Sequence, residues 1–180
     1  MATEKKLDCV ILGLLSHEKL TGYEIKKRMD TSLKYFWGAS YGSIYPTLNG
    51  LVKDGFATKQ ETKENGRNKI VYTITKKGRE HLSNWLALPV EKDEMRYETL
   101  LKLFFGSEIG YNGTLSHISN FKTKIEKELP FLQQSVNILE QIKDNEAAHK
   151  YYLLTAMFGV KVYQTYLEWC AEAEKLLQEQ

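Results

Sequence analysis

The sequence predicts a mainly α protein with a small β-hairpin, divided into a basic N-terminal half and an acidic, helical C-terminal half. Three observations predict it. Apolar residues recur at helical spacing through most of the chain, one Asn-Gly pair lies between two alternating runs, and the apolar periodicity breaks at Pro89. With 180 residues, 42% hydrophobic and 27% charged, the composition is that of a globular protein and excludes disordered, collagen-like and disulfide-scaffold classes.

Leu7, Val10, Ile11, Leu14 and Leu15 follow the i, i+3, i+4, i+7, i+8 pattern of a first helix that ends near Ser16-His17. Thr21-Gly-Tyr-Glu24 reads as a capping box opening a second helix, with Leu20 and Ile25 as its hydrophobic staple. Met29 continues the inner face of that helix, and Lys26, Lys27 and Arg28 point outward. After an aromatic turn at Tyr35-Phe36-Trp37-Gly38, a third helix starts at Ser40 or Ser43 and runs to Asp54, where Gly55 supplies a left-handed stop. Pro46 fits without cost if the start is near Ser43, whereas a start at Ser40 implies a kink. Ile44, Leu48, Leu51 and Val52 form the buried face of this helix, and Ser43, Thr47, Asn49, Gly50 and Lys53 the opposite one.

Residues 56–63 and 68–74 read as strands joined through Asn65-Gly66, with Ile70, Tyr72 and Ile74 inward and Lys59, Lys63, Arg67 and Lys69 making the hairpin basic. Thr75 caps a fourth helix that buries Leu82, Trp85 and Leu86 and ends before Pro89. Beyond the linker, Tyr97, Leu100, Leu101, Phe104 and Phe105 stripe a fifth helix that stops at Gly106. A long helix follows from Thr114 to about Asp144, with Pro130 expected to kink it. In it Ile118, Ile125, Leu132 and Leu139 recur every seven residues, beside a second row of Phe121, Leu129, Val136 and Ile142. A last helix, roughly 147–177, turns Ala156, Met157, Val160, Tyr163, Leu167 and Cys170 inward.

Charge follows the same division. Residues 1–88 carry 15 Lys and Arg against 9 Asp and Glu, net +6, and residues 89–180 carry 10 against 14, net −4. A basic half suggests that one end meets a polyanion. Three short helices followed by a basic hairpin give the order of a winged helix-turn-helix, whose second or third helix enters the major groove. We therefore expect a DNA-binding domain at 1–88 and a helical dimerisation domain, a candidate effector sensor, at 89–180. Ile118, Ile125, Leu132 and Leu139 are its expected dimerisation row, because a symmetric dimer buries apolar stripes that three helices cannot cover alone. An intramolecular three-helix bundle is the alternative.

Three segments resemble one known family, the PadR-type transcriptional regulators. They are Gly22-Tyr-Glu-Ile25, Ser40-Tyr-Gly-Ser-Ile-Tyr-Pro-Thr-Leu-Asn-Gly-Leu-Val-Lys-Asp-Gly-Phe56, and Val71-Tyr-Thr-Ile-Thr-Lys-Lys-Gly-Arg-Glu-His-Leu82. Glu94-Met-Arg-Tyr-Glu-Thr-Leu-Leu-Lys-Leu-Phe-Phe105 and Tyr166-Leu-Glu-Trp169 are similar to the C-terminal helical domain of the larger subfamily and of the related virulence-gene activators. The resemblance implies a bacterial or archaeal dimeric regulator, usually a repressor, that in some members releases DNA when a small aromatic compound binds.

By position, Ser40, Tyr41, Ser43 and Thr47 are the expected base readers, since the N-terminal residues of a recognition helix reach deepest into the groove. Tyr23, Tyr45, Lys53, Lys63 and Lys69 are the expected phosphate contacts, and Arg67 the wing residue for the minor groove. The predicted partners are thus double-stranded DNA and a second copy of the chain, with a small aromatic effector as a candidate to which no residues are assigned. A protein-interaction adaptor is the alternative function. No phosphate loop or nucleophile elbow occurs, and His17, His81, His117 and His149 have no partner at metal spacing, so neither an enzyme, a metal nor a cofactor is expected. Cys9 and Cys170 read as core residues. The apolar run 151–160 has about half the ~20 residues of a membrane span, and Glu4 and Asp8 interrupt any secretory leader, which points to the cytoplasm.

Overall fold

The computed structural model describes residues 2–37, 41–64, 67–90, 93, 96–142 and 147–179. In chain order its elements are α1 (Ala2–Leu15), β1 (Leu20–Thr21), α2 (Gly22–Arg28), α3 (Ile44–Lys53), β2 (Ala57–Glu64), β3 (Arg67–Ile74), α4 (Lys76–Leu86), α5 (Glu98–Phe104), α6 (Gly110–Gln141) and α7 (Ala147–Gln178). A π-helical turn (Met29–Leu33) extends α2, and 3-10 turns (Tyr41–Ser43 and Gly106–Glu108) precede α3 and α6. The chain falls into two compact units, Met1–Asp93 and Glu94–Gln180.

The first unit is a winged helix. Ile11, Leu12 and Leu15 of α1, Ile25 of α2 and Ile44, Leu48 and Leu51 of α3 close on Tyr72 and Ile74 of the sheet. Each of the larger of these side chains adds roughly 1.5–3 kcal/mol by leaving water. The sheet is antiparallel in the order β1-β3-β2. Its two-residue β1, which no periodicity announces, pairs Leu20 with Tyr72 and Thr21 with Val71. The hairpin register runs from Ala57↔Ile74 to Glu64↔Arg67, and the Asn65-Gly66 tip lies outside the described residues.

Contrary to expectation, Ile70 is exposed because the hairpin reaches past the core, and Leu86 is exposed at the end of α4. The start of α3 at Ile44 puts Pro46 in the first turn, where the N–H groups have no helical partner, so proline costs nothing there.

In the second unit, α6 and α7 lie antiparallel, each 32 residues long. Lys122 pairs with Glu174 at 2.8 Å, the Tyr163 hydroxyl donates to Glu128 at 3.0 Å, and Leu132 packs on Gly159. Ile118, Ile125 and Leu132 are buried within the single chain and Leu139 is half-buried. The heptad row expected to meet a second copy therefore belongs to this unit's own core. The rows left outside hold Phe131 and Ile138 on α6 and Leu154, Met157 and Phe158 on α7, so Met157 is not an inward residue. Of the expected α5 stripe, Tyr97 is half-buried while Leu100, Leu101, Phe104 and Phe105 are exposed, Phe104 at 82%.

The fifth helix stops just before Gly106, as its stripe predicts, without positive φ at that glycine. The positive φ falls at Gly110 (69°), where the chain leaves its 3-10 turn and α6 begins. Thr114 accordingly lies inside α6, its hydroxyl donating to the Gly110 carbonyl at 2.9 Å. The helix continues through Pro130, which faces solvent. Tyr97, Phe121, Tyr166 and Trp169 form an edge-to-face aromatic cluster. Burial first, and then a hydrogen bond with the Tyr97 hydroxyl, pushes the Tyr166 hydroxyl far above the usual phenol range.

The capping box at α2 forms in full. The Thr21 amide donates to the Glu24 carboxylate at 2.7 Å, and the Glu24 amide donates to the Thr21 hydroxyl at 3.2 Å. The amide of Thr21, then its hydroxyl, hold the Glu24 carboxyl below the usual carboxylate range, with Lys69 and Arg28 adding to the effect. A carboxylate depressed in the folded state stabilises above its unfolded pKa, and the gain is lost as pH falls through the folded value. Glu24→Gln should thus lower the urea midpoint at neutral pH and have a smaller effect at about pH 3. Thr21→Ala should cost about 1 kcal/mol at neutral pH. Equal losses for Glu24→Gln at both pH values would count against the carboxylate.

Candidate nucleic-acid interface

With Ile44, Leu48 and Leu51 of α3 buried, the helical period turns Tyr45, Asn49 and Lys53 outward on one i, i+4 line. Tyr45 is 58% exposed, and Tyr23, on the first turn of α2, is 69% exposed. Ser43 and Thr47 are half-buried beside the line. Tyr41 opens the 3-10 turn ahead of α3, and Ser40 lies outside the described residues. Ser43, Tyr45 and Thr47 thus lie at the start of α3 and Lys53 at its C-terminal end, with Tyr45, Asn49 and Lys53 forming the exposed line along its length.

The wing distributes its cations over both faces. Side chains alternate along a strand, so Lys59 and Lys63, opposite Tyr72 and Asn68, lie on one face, and Lys69, opposite Thr62, on the other. The Lys69 charge is near the Glu24 carboxylate at the start of α2. Arg67 occupies the position opposite Glu64 next to the tip, and its side chain lies outside the described residues. Arg28, expected to face outward, forms an ion pair with Glu18 at 2.6 Å.

Between helix and wing the chain turns through Asp54, Gly55 and Phe56. Gly55 takes φ 75°, with its amide on the Val52 carbonyl and the Phe56 amide on the Leu51 carbonyl, which is a Schellman stop. The start of α4 clasps this corner. The Lys77 ammonium donates to the Asp54 carbonyl at 2.8 Å, the Thr75 hydroxyl to the Gly55 carbonyl at 2.8 Å, and the Thr75 amide to the Phe56 carbonyl at 3.0 Å. His81 stacks on the Phe56 ring at 4.4 Å. A Cβ at Gly78 would stand 2.1 Å from the Phe56 carbonyl oxygen, so glycine is required there for the backbones to meet.

Sequence reading anticipated neither this clasp nor a second close approach: a Cβ at Gly22 would lie 2.6 Å from Cε1 of Tyr45. The available signal was a glycine placed just inside a helix start with no turn to make. No group of three or more His, Cys, Asp or Glu suited to a metal occurs among the described residues. None of the described helices is long and apolar enough to cross a membrane.

Residues 11–84 match the model of the transcriptional regulator PadR-like family, and residues 95–178 match that of the virulence activator alpha C-terminal domain. The chain is 35% identical over 102 residues to the negative transcriptional regulator PadR of Bacillus subtilis, a match covering 55% of this chain and 56% of that relative. Among solved structures, Bacillus subtilis PadR in complex with operator DNA superposes with a TM-score of 0.77 at 28% identity, covering 95% of this chain and 98% of that one. The same protein in complex with p-coumaric acid gives 0.73 at 26% identity, covering 96% and 98%.

Glycine inside a helix ordinarily costs about 1 kcal/mol relative to alanine. At Gly78 the sign should reverse, because the methyl meets a backbone oxygen rather than a yielding side chain. Gly78→Ala is expected to destabilise the first unit by about 2 kcal/mol or more in thermal unfolding. A stabilised variant would mean that α4 does not hold the corner this tightly.

Proposed function

Since the chain belongs to the PadR-like family of transcriptional regulators, we propose that it binds an inverted-repeat operator as a homodimer and represses the adjoining gene. The observation that carries this reading is the line Tyr45, Asn49 and Lys53, presented by a helix whose other face is core and whose C-terminal end, clasped by the start of α4, leads into a basic hairpin. In this reading α3 enters the major groove. Ser40, Tyr41, Ser43 and Thr47 reach base edges. Tyr23, Tyr45, Lys53, Lys63 and Lys69 hold phosphates and set the register. Arg67 enters the adjacent minor groove.

A second copy would cover the apolar rows that the helical unit leaves outside. The exposed residues of α5, together with Phe131, Ile138 and Phe158, replace the inward heptad row as the proposed dimer surface. A symmetric pair sets two reading heads one DNA turn apart, about 34 Å. A small aromatic acid, the class of ligand seen with the Bacillus subtilis relative, would release DNA by favouring a dimer with misspaced heads, because a ligand shifts states only by its differential affinity for them. The reading assigns the chain no catalytic step.

Selection of duplexes from a random pool, with the mass of the complex read by light scattering, tests the proposal. It expects a palindromic winner bound by two chains; uniform weak binding would favour a protein-interaction adaptor. Lys53→Ala and Lys63→Ala should weaken binding to all duplexes alike and flatten the salt slope by about 1 each. Thr47→Ala should relax the preference at one base pair, by about 1–3 kcal/mol. Phe104→Glu should reduce the mass in solution to that of one chain, and an unchanged mass would remove α5 from the interface.

A further inference from the structure

The geometry points to Gly22 as a positioning residue: its missing side chain is the seat on which the Tyr45 ring lies, and the seat aims the Tyr45 hydroxyl toward DNA. The inference rests on the DNA-binding reading above and adds to it a residue that acts through another.

Gly22 is the first residue of α2, directly after its cap Thr21. Among the described glycines only Gly55 and Gly110 have positive φ, so the backbone at Gly22 does not itself demand glycine. What glycine supplies is room. A Cβ there would stand 2.6 Å from Cε1, 3.0 Å from Cζ and 3.2 Å from the hydroxyl oxygen of Tyr45, closer than a methyl and a ring carbon approach. Gly22 is buried while Tyr45 is 58% exposed, so the ring has one face on the helix start and another toward water.

The two sides of this contact differ in stiffness. Beneath the ring, the backbone is held by the reciprocal Thr21 and Glu24 bonds on either side of Gly22. Above it, the ring is a side chain free to swing outward. A methyl at position 22 therefore displaces the ring and not the helix, and the hydroxyl, at the far end, moves most. Hydrogen bonds weaken steeply with distance and angle, so a swung hydroxyl loses a phosphate that a seated one reaches. Stability should not suffer, because alanine is a better helix residue than glycine and restricts the unfolded chain.

The experiment compares wild type, Gly22→Ala, Tyr45→Phe and the double variant. Its probes are a duplex enriched by the wild type from a random pool and a scrambled duplex. Ring-labelled tyrosine NMR of the free proteins accompanies the binding, with the Tyr45 signal assigned by its loss in Tyr45→Phe. Gly22→Ala is expected to melt at or above the wild-type temperature, to shift the Tyr45 ring resonance, and to weaken both duplexes by the same factor, about tenfold. Its salt slope should not change, because a neutral hydroxyl displaces no counterion. On the Tyr45→Phe background it should add no more than about twofold.

An unmoved resonance, undiminished affinity, or a full further loss in the double variant overturns the proposal. If the wild type enriches no duplex, the DNA-binding reading falls and the role in binding with it, while the resonance still decides whether the seat exists. Should Gly22→Ala fail to fold, Gly22→Ala with Tyr45→Ala must restore folding, since the methyl then has no ring to meet; failure to restore it overturns the seat.

Discussion

The N-terminal unit depends most on three successive carbonyls, those of Asp54, Gly55 and Phe56, at the corner where α3 becomes β2. A helix end leaves its last carbonyls without helical partners, and each hydrogen bond that meets one is worth about 0.5–1.5 kcal/mol. Here one short stretch, Thr75 to Lys77, supplies a donor to each. The same α4 reaches back to the first helix through Arg79, whose guanidinium donates to the Ser16 carbonyl at 3.1 Å. The corner therefore ties α3 to the wing, and in the proposed reading the docking of α3 sets where the hairpin meets the duplex.

The helical unit solves a different problem. Its longest apolar repeat is consumed in pairing α6 with α7, around a core that includes Ile118, Ile125, Leu129 and Cys170. Polar links flank that core, with Lys122 to Glu174 on one turn and Tyr163 to Glu128 on another. What remains apolar and exposed is α5 and the outer edges of the long pair. In the proposed reading, the acidic helical unit with its uncovered apolar rows serves association and the basic unit serves recognition.

Local signals were legible in the sequence because they depend on a few adjacent residues. The Thr21–Glu24 box, the Gly55 stop, the buried stripe of α3 and the hairpin all follow from side-chain chemistry within one turn or one strand pair. Signals that depend on a partner were not legible. A heptad row announces a stripe but does not say which helix will cover it, and here α7 does so in place of a second copy. Met157 and Leu86 have the right spacing for burial and lack a neighbour to bury them. Gly106 and Gly110 lie four residues apart, and only the path of the chain through the intervening 3-10 turn decides which takes positive φ. Of the candidate site, the exposed line on α3 follows from its buried stripe. The clasp by α4 and the closeness of Gly22 to Tyr45 join residues far apart in sequence and leave no periodic trace.

The chain holds two cysteines, Cys9 in α1 and Cys170 in α7, one in each unit; both are free and buried, and burial raises both thiols above their usual range. Only the thiolate reacts with an alkylating agent, so each sulfur stays silent until its own surroundings open. The protein thus carries two internal clocks. Their relative labelling rates tell whether the winged helix and the helical pair breathe together or apart, with and without DNA, in the unaltered chain.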